Sequence, residues 1–388
     1  MQQVNFPIYL DSHATTPVDP RVFEEMKPYF MEKFGNASSM DHSIGHDASV
    51  AVNDSRRKIA DAIGSHADEL IFTSGATESD NLALIGVMEK NKTKGNHLIT
   101  AATEHKAVLD VARRLESLGN KVTYLPVDEF GMVSPESVSQ AITKETVMIS
   151  IMFANNEVGT IADIAEIGKI AHEKDVLFHT DAAQAVGHLP IDVEKMNIDL
   201  MSFSSHKIYG PKGIGALYVR SIMPRVKLEP ILNGGGQEKN IRSGTLNVPG
   251  IVGFAKAVEI AQKEYSDENS RFRGWTNKMM ERFSEIGGVL NGHPEKRLAH
   301  NLNVRFEGVD GKAIINSVSK RLAISAGSAC TTQLVEPSHV LIALGLTEEQ
   351  AHSSIRIGCG RFNTDEEIAE ATDIILDSVR ALAQIRRI

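Results

Sequence analysis

Several polar residues in this sequence stand where an apolar run gives way to a turn, and their chemical types complement one another. Lys207 directly follows the stretch from Leu200 to His206 and precedes the tight segment Gly210-Pro-Lys-Gly-Ile-Gly. Lysines are ordinarily solvated surface residues. One held near a pyridinium and a phosphate has its pKa lowered, which suits Schiff-base chemistry. Ser204 and His206 flank it within reach of such a phosphate. Upstream, Ile71-Phe-Thr-Ser-Gly-Ala-Thr-Glu-Ser runs from a strand-like stretch into a helix-like one. Free N–H groups at that helix start, with the Thr77 hydroxyl, would hold a phosphate. Ser74 and Thr77 would equally serve as plain helix caps. Asp181 ends the run that begins at Leu177, where an unpaired carboxylate is costly. A protonated pyridine nitrogen would neutralise it, as would a structural salt bridge. Together these groups describe a site for pyridoxal phosphate, with Lys207 as the anchor.

Two more residues bear on reactivity. His105, in Thr103-Glu-His-Lys-Ala-Val, starts a helix-like stretch after a strand-like one. Its imidazole could stack on a flat ring and shuttle protons, or fill an ordinary structural role. Cys330 lies among small and polar residues in Ser325-Ala-Gly-Ser-Ala-Cys-Thr-Thr-Gln, which reads as a flexible, exposed loop. An accessible thiol that ionises is a nucleophile. Cys359 has a glycine on either side and reads as a packing residue.

Positioning these groups requires an α/β architecture. Short apolar runs alternate with helical patterns, which argues for a largely parallel sheet whose carboxyl ends gather the ligand. Seven strands are expected, within 69–73, 97–100, 122–125, 147–152, 176–179, 200–204 and 215–219. Helices are expected over 48–63, 79–88, 105–118 and 251–283. A further strand over 302–306 and a final helix opened by a Thr364/Glu367 capping box follow. The change of rhythm places a large cofactor-binding domain at 16–257, and a smaller α+β domain at 1–15 and 258–388 carries the Cys330 loop.

Composition narrows the class. A chain of 388 residues with 42% hydrophobic residues can bury a sizeable core. The net charge of −9 is spread along the sequence, which leaves no electrostatic footprint for general nucleic-acid binding. No run is long and apolar enough to cross a membrane. No signal peptide is evident, and two cysteines make no disulfide framework, so a cytoplasmic location is expected.

With these motifs in order, the sequence resembles the NifS/IscS-type cysteine desulfurases, fold-type I pyridoxal phosphate enzymes of the class V aminotransferase group. The resemblance runs from Tyr9-Leu-Asp-Ser-His-Ala-Thr-Thr-Pro to Arg356-Ile-Gly-Cys-Gly-Arg-Phe, through Asn155-Asn-Glu-Val-Gly, Arg242-Ser-Gly-Thr and Gly327-Ser-Ala-Cys-Thr. It implies Lys207 as the Schiff-base lysine, Asp181 at the pyridine nitrogen, Gln184 at the ring hydroxyl and His105 over the ring. It implies Ala76, Thr77, Ser204 and His206 at the phosphate, joined by Thr245 from the second subunit of a homodimer. Asn156 and Arg356 would bind the carboxylate of L-cysteine, and Cys330 would take its sulfur as a persulfide, leaving L-alanine. A sulfur-accepting protein would then receive the persulfide, for iron–sulfur assembly, tRNA thiolation or DNA sulfur modification. No metal enters this chemistry. Selenocysteine lyase activity, or a docking role in a sulfur-relay complex, are the competing expectations. Two features depart from the pattern: Ser12-His13 replaces the commoner Tyr-Ser, and the chain ends at Gln384-Ile-Arg-Arg-Ile, short of the tail such enzymes use to dock an iron–sulfur scaffold.

Overall fold

The computed structural model describes residues 6–326 and 336–385. In chain order the strands are β1 (Ile8–Tyr9), β2 (Leu70–Thr73), β3 (His97–Ala101), β4 (Lys121–Leu125), β5 (Thr146–Ser150) and β6 (Leu177–Asp181). They continue as β7 (Leu200–Ser204), β8 (Gly215–Val219), β9 (Gly288–Leu290), β10 (Asn301–Phe306), β11 (Leu322–Ala323) and β12 (Ser354–Gly358). The seven expected strands form one sheet in the order β2-β8-β7-β6-β5-β3-β4. It is parallel from β7 to β4, and β8 runs antiparallel between β2 and β7. The reversal at β8 puts Lys207 in the short connection between two adjacent strands.

Burial on both faces explains why these strands read as continuous apolar runs. Alternate residues face opposite sides. Phe72, Ile99, Ile149, Phe178, Met201 and Phe203 belong to one core; Ile71, Leu98, Met148, Leu200 and Leu217 belong to the other. The edge strand β4 is more exposed and begins with the solvated Lys121.

Three of the four expected helices start earlier than the apolar periodicity predicts; the fourth spans Lys106–Ser117. The helix Ser43–Ile63 opens with the His42 imidazole accepting from Gly45 N at 3.1 Å and closes on Gly64 at φ 71°. The next, Ala76–Lys90, starts three residues before the expected one. The helix Val248–Ser284 runs unbroken from the first core, through Ile251, Phe254 and Val258, into a third built on Phe272, Trp275, Met279 and Phe283. That third core is closed by the antiparallel sheet β12-β10-β9 and by the helix Asp365–Ile385. The Thr364/Glu367 capping box is present, with both reciprocal bonds made. The pair β1–β11 joins the N-terminus to this same core through Ile8 and Leu10. Among the described residues no helix is long and apolar enough to cross a membrane.

Candidate active site

A cavity of about 560 Å³ opens at the carboxyl ends of β6 and β7 and the start of the helix Ala76–Lys90. Its wall brings together Ala76, Thr77, His105, Asn156, Asp181, Gln184, Ser204, His206 and Lys207. Four strand-to-turn motifs spread over more than a hundred residues of the chain thus meet in one place.

One part of the wall is built to take an anion. Gly75 is the N-cap residue at φ 153°, and no side chain caps the helix there, so its first N–H groups stay available. The expected competing role of Ser74 and Thr77 as caps is therefore not taken up. Room for this turn comes from Gly215, where an added Cβ would lie 2.6 Å from Gly75 Cα and 2.6 Å from Phe203 O. The His206 Nδ1 meets Thr15 Oγ1 at 3.0 Å; burial, then Lys207 and Lys212, pushes the imidazole down to about 4. It therefore serves as a neutral hydrogen-bonding group. Glu78 accepts from Ser74 N at 2.7 Å and from Arg242 Nε at 2.7 Å. Burial works to raise its pKa, but these bonds outweigh that and hold it below the usual range.

The opposite requirement, a home for a cationic ring, is met at Asp181. Its Oδ1 accepts from Ala183 N at 2.9 Å, and no ion pair holds it among the described residues. Burial raises its pKa, against the pull of His105 and Lys207. The structural salt bridge is thus absent, and a cation beside this carboxylate would restore its charge. Near it lie Asp80, also in the cavity wall, and Glu104, both raised well above the carboxylate range by burial and by Asp181. His179 bonds Ser150 and Ser202 and is lowered by burial to about 3, so it does not neutralise them.

The Lys207 amine donates to the carbonyls of His13 and Ala14, the latter at 2.9 Å. Burial, then Arg356, lowers it to about 8. His105 caps its helix, Nδ1 accepting from Ala107 N at 3.1 Å, and its exposed ring lines the cavity. Both roles expected of His105 are open to it at once.

Other expected residues lie elsewhere. Arg356 is not in the cavity wall; its guanidinium donates to Asn156 O at 3.0 Å and pairs with Asp11 at 2.7 Å. Thr245 is exposed and away from this wall. Cys330 and its loop fall outside the described residues. Cys359 is buried in the third core, and burial pushes its thiol up to about 12. The motifs did not single out Lys212, which lines the cavity, or Arg361, which bonds Glu268 and Asp19 beneath it. Both stand inside quoted motifs, so the signal was proximity without a role.

These groups fit pyridoxal phosphate: an uncapped helix start for the phosphate, a buried unpaired carboxylate for the ring nitrogen, and an amine of lowered pKa for the carbonyl carbon.

The profile of the aminotransferase class-V family matches residues 8–370. The chain is 50% identical to the cysteine desulfurase IscS of Rickettsia felis, over 98% of this chain and 93% of that protein. Its structure is similar to that of a NifS-like protein, with a TM-score of 0.90 and 37% identity over 97% of this chain and 100% of the other. It is also similar to SspA in complex with cysteine, with a TM-score of 0.80 and 40% identity over 92% and 99% of the two chains.

Proposed function

The chain belongs to the aminotransferase class-V family, and from that premise we infer that it is a pyridoxal-phosphate-dependent cysteine desulfurase, which releases L-alanine from L-cysteine. The observation that carries this reading is the meeting of Lys207, Asp181 and an uncapped helix start on one cavity. When bound, the cofactor supplies an electron sink that weakens bonds at the α and β carbons of an amino acid.

The chain's own residues do the rest. Ala76, Thr77, Ser204 and His206 hold the phosphate, and Asp181 and Gln184 orient the ring. With its pKa near 8, the Lys207 amine exists partly as a neutral base able to take a proton from the substrate Cα. Since His105 Nδ1 accepts from Ala107 N, proton exchange at this ring falls to Nε2. Asn156 and Arg356 hold the substrate carboxylate; Arg356 Nε has no partner among the described residues, which leaves a donor for it. The Cys330 thiolate attacks the substrate sulfur: a sulfur–sulfur bond forms, the Cβ–sulfur bond breaks, and a persulfide remains on Cys330. An acceptor protein takes that sulfur, with iron–sulfur assembly, tRNA thiolation and DNA sulfur modification as candidate destinations.

The working unit is a homodimer in the cytoplasm. Phe23, Phe30, Met31 and Phe34 are 52%, 57%, 70% and 64% exposed, a cluster that a second copy would cover. The exposed Thr245 would then reach the partner's phosphate. Residues 16–257 form the large domain and the remainder the small one, a division supported by the separate core around Phe272 and Ile355.

The test is incubation with L-cysteine and a thiol reductant, scoring alanine and sulfide. Equal yields are expected, with both lost in Lys207→Ala and in Cys330→Ala. Undiminished alanine from either variant overturns the role given to that residue.

A further inference from the structure

We propose that His13 is a positioning residue, which orients the Gln184 amide with its side chain and the Lys207 amine with its carbonyl oxygen. This rests on the reading of Gln184 and Lys207 as cofactor contacts and deepens it. It also gives the histidine of the Ser12-His13 departure a physical account.

The hydrogen bonds around His13 leave its ring a single arrangement. Arg297 Nη2 donates to the backbone carbonyl of Asn301 and, at 3.2 Å, to Asn301 Oδ1, so the Asn301 oxygen faces Arg297. The Asn301 Nδ2 donates to Glu157 O at 3.1 Å and meets His13 Nε2 at 3.1 Å. An amide nitrogen only donates, so His13 Nε2 accepts and the ring proton sits on Nδ1. That Nδ1–H donates to Gln184 Oε1 at 3.1 Å. The Gln184 oxygen is then turned from the cavity, and its Nε2 donates one hydrogen to His13 O at 3.0 Å. The second Nε2 hydrogen is left for the ring hydroxyl. The same His13 carbonyl accepts from Lys207 Nζ.

Packing holds the ring in this orientation. His13 is 1% exposed and stacks on His300, with centroids 4.5 Å apart and planes at 24°. On its other side His300 stacks on His188, at 4.2 Å and 30°. His188 Nε2 in turn donates to the Lys207 carbonyl at 3.2 Å, so the stack ends on the backbone of the lysine whose amine His13 holds. Gly358 makes the seat: a Cβ there would lie 2.7 Å from His13 Cδ2. A charged ring would spoil both the tautomer and the stack. Burial, with Arg356 next, keeps His13 well below the ordinary imidazole range, and burial does the same for His300.

The test compares His13→Phe, which keeps a stacked ring without nitrogens, with His13→Asn, whose Nδ2 occupies the bonding position of the imidazole Nδ1. Each apoprotein is titrated with pyridoxal phosphate and followed by its visible band, with circular dichroism as the folding control. His13→Phe is expected to fold, to bind the cofactor about tenfold more weakly, the weight of one neutral hydrogen bond, and to shift the band. His13→Asn is expected to recover most of the affinity. Wild-type affinity and band in folded His13→Phe, or no recovery in folded His13→Asn, overturns the proposal. An imidazole nitrogen spectrum of the unmutated protein needs no variant to fold: His13 protonated on Nδ1 supports the proposal, and on Nε2 overturns it. Absence of any visible band in the wild type, or its survival in Lys207→Ala, would instead sink the cofactor reading.

Discussion

Arg361→Met is expected to destabilise the protein by about 3–5 kcal/mol near pH 7.5, the cost of breaking a buried ion pair from one side. Arg361 is 8% exposed, and its Nε and Nη2 donate to Glu268 at 2.6 Å and 3.3 Å. Its Nη1 donates to Asp19 at 2.9 Å, and the guanidinium lies 4.3 Å from the centre of the Tyr209 ring. Asp19 would keep Arg21, at 2.7 Å. Glu268 is 6% exposed, and Arg361 is its only ion-pair partner among the described residues. It could escape only by taking a proton. About three pH units above an ordinary glutamate's pKa, that costs about 4 kcal/mol, which agrees with the first figure. The sign follows. In the variant the folded-state pKa of Glu268 is raised, so the deficit is largest at high pH and shrinks as pH falls towards the unfolded value. Urea unfolding at matched protein concentration, near pH 7.5 and pH 5.5, should show the deficit falling by about 1.4 kcal/mol per pH unit. Adding Glu268→Leu should recover most of it at the higher pH. A deficit under about 1 kcal/mol, or one indifferent to pH, would refute the reasoning.

Three other outcomes follow from the site. In apoprotein, acylation of Lys207 should rise with a midpoint at about pH 8, since the neutral amine reacts and the folded pKa is lowered; peptide mapping reads this, and a midpoint near that of exposed lysines contradicts it. Gly215→Ala places a methyl 2.6 Å from Gly75 Cα. Overpacking of about 1–3 kcal/mol there should weaken pyridoxal phosphate binding by ten- to a hundredfold, measured by titration of the apoprotein; unchanged affinity would mean the turn takes no part in the cradle. Cys359, its thiol pushed up to about 12, should resist iodoacetamide near pH 8 in the folded protein, and Cys359→Ala should leave alanine output within about twofold. Mass spectrometry showing Cys359 alkylated as fast as Cys330 would count against that.

What was legible in the sequence was local. Lys207, Asp181 and Thr77 could be picked out because a strand followed by a turn leaves its mark within ten residues. The Thr364/Glu367 box was legible for the same reason. The pair β1–β11 was not, because two residues carry no period, and its partners lie over three hundred positions apart. Arg356 is expected at the substrate carboxylate, and nothing near it in the sequence signals its partners Asp11 and Asn156. His13 stood out only as a departure, because the ring's meaning depends on Asn301, Gln184 and His300, three residues that only the fold brings to it.

Those long-range contacts converge on one short stretch, residues 11–19. His13 and Ala14 hold the Lys207 amine, Thr15 meets His206, and Thr16 bonds the His206 carbonyl and Tyr209 N. The same stretch reaches the other way, Asp11 to Arg356 and Asp19 to Arg361. It therefore ties the turn that carries Lys207 to the strand β12 and the loop after it, which belong to a different core. A shift of β12, which carries Arg356, would pull on Asp11 and be felt at Lys207 through the carbonyls of His13 and Ala14. The Lys207 amine and the Arg356 guanidinium are thus linked by a segment that is neither a strand nor a helix. Loosening Arg361 should consequently cost more than stability: the same lesion would relax the register between Lys207 and Arg356.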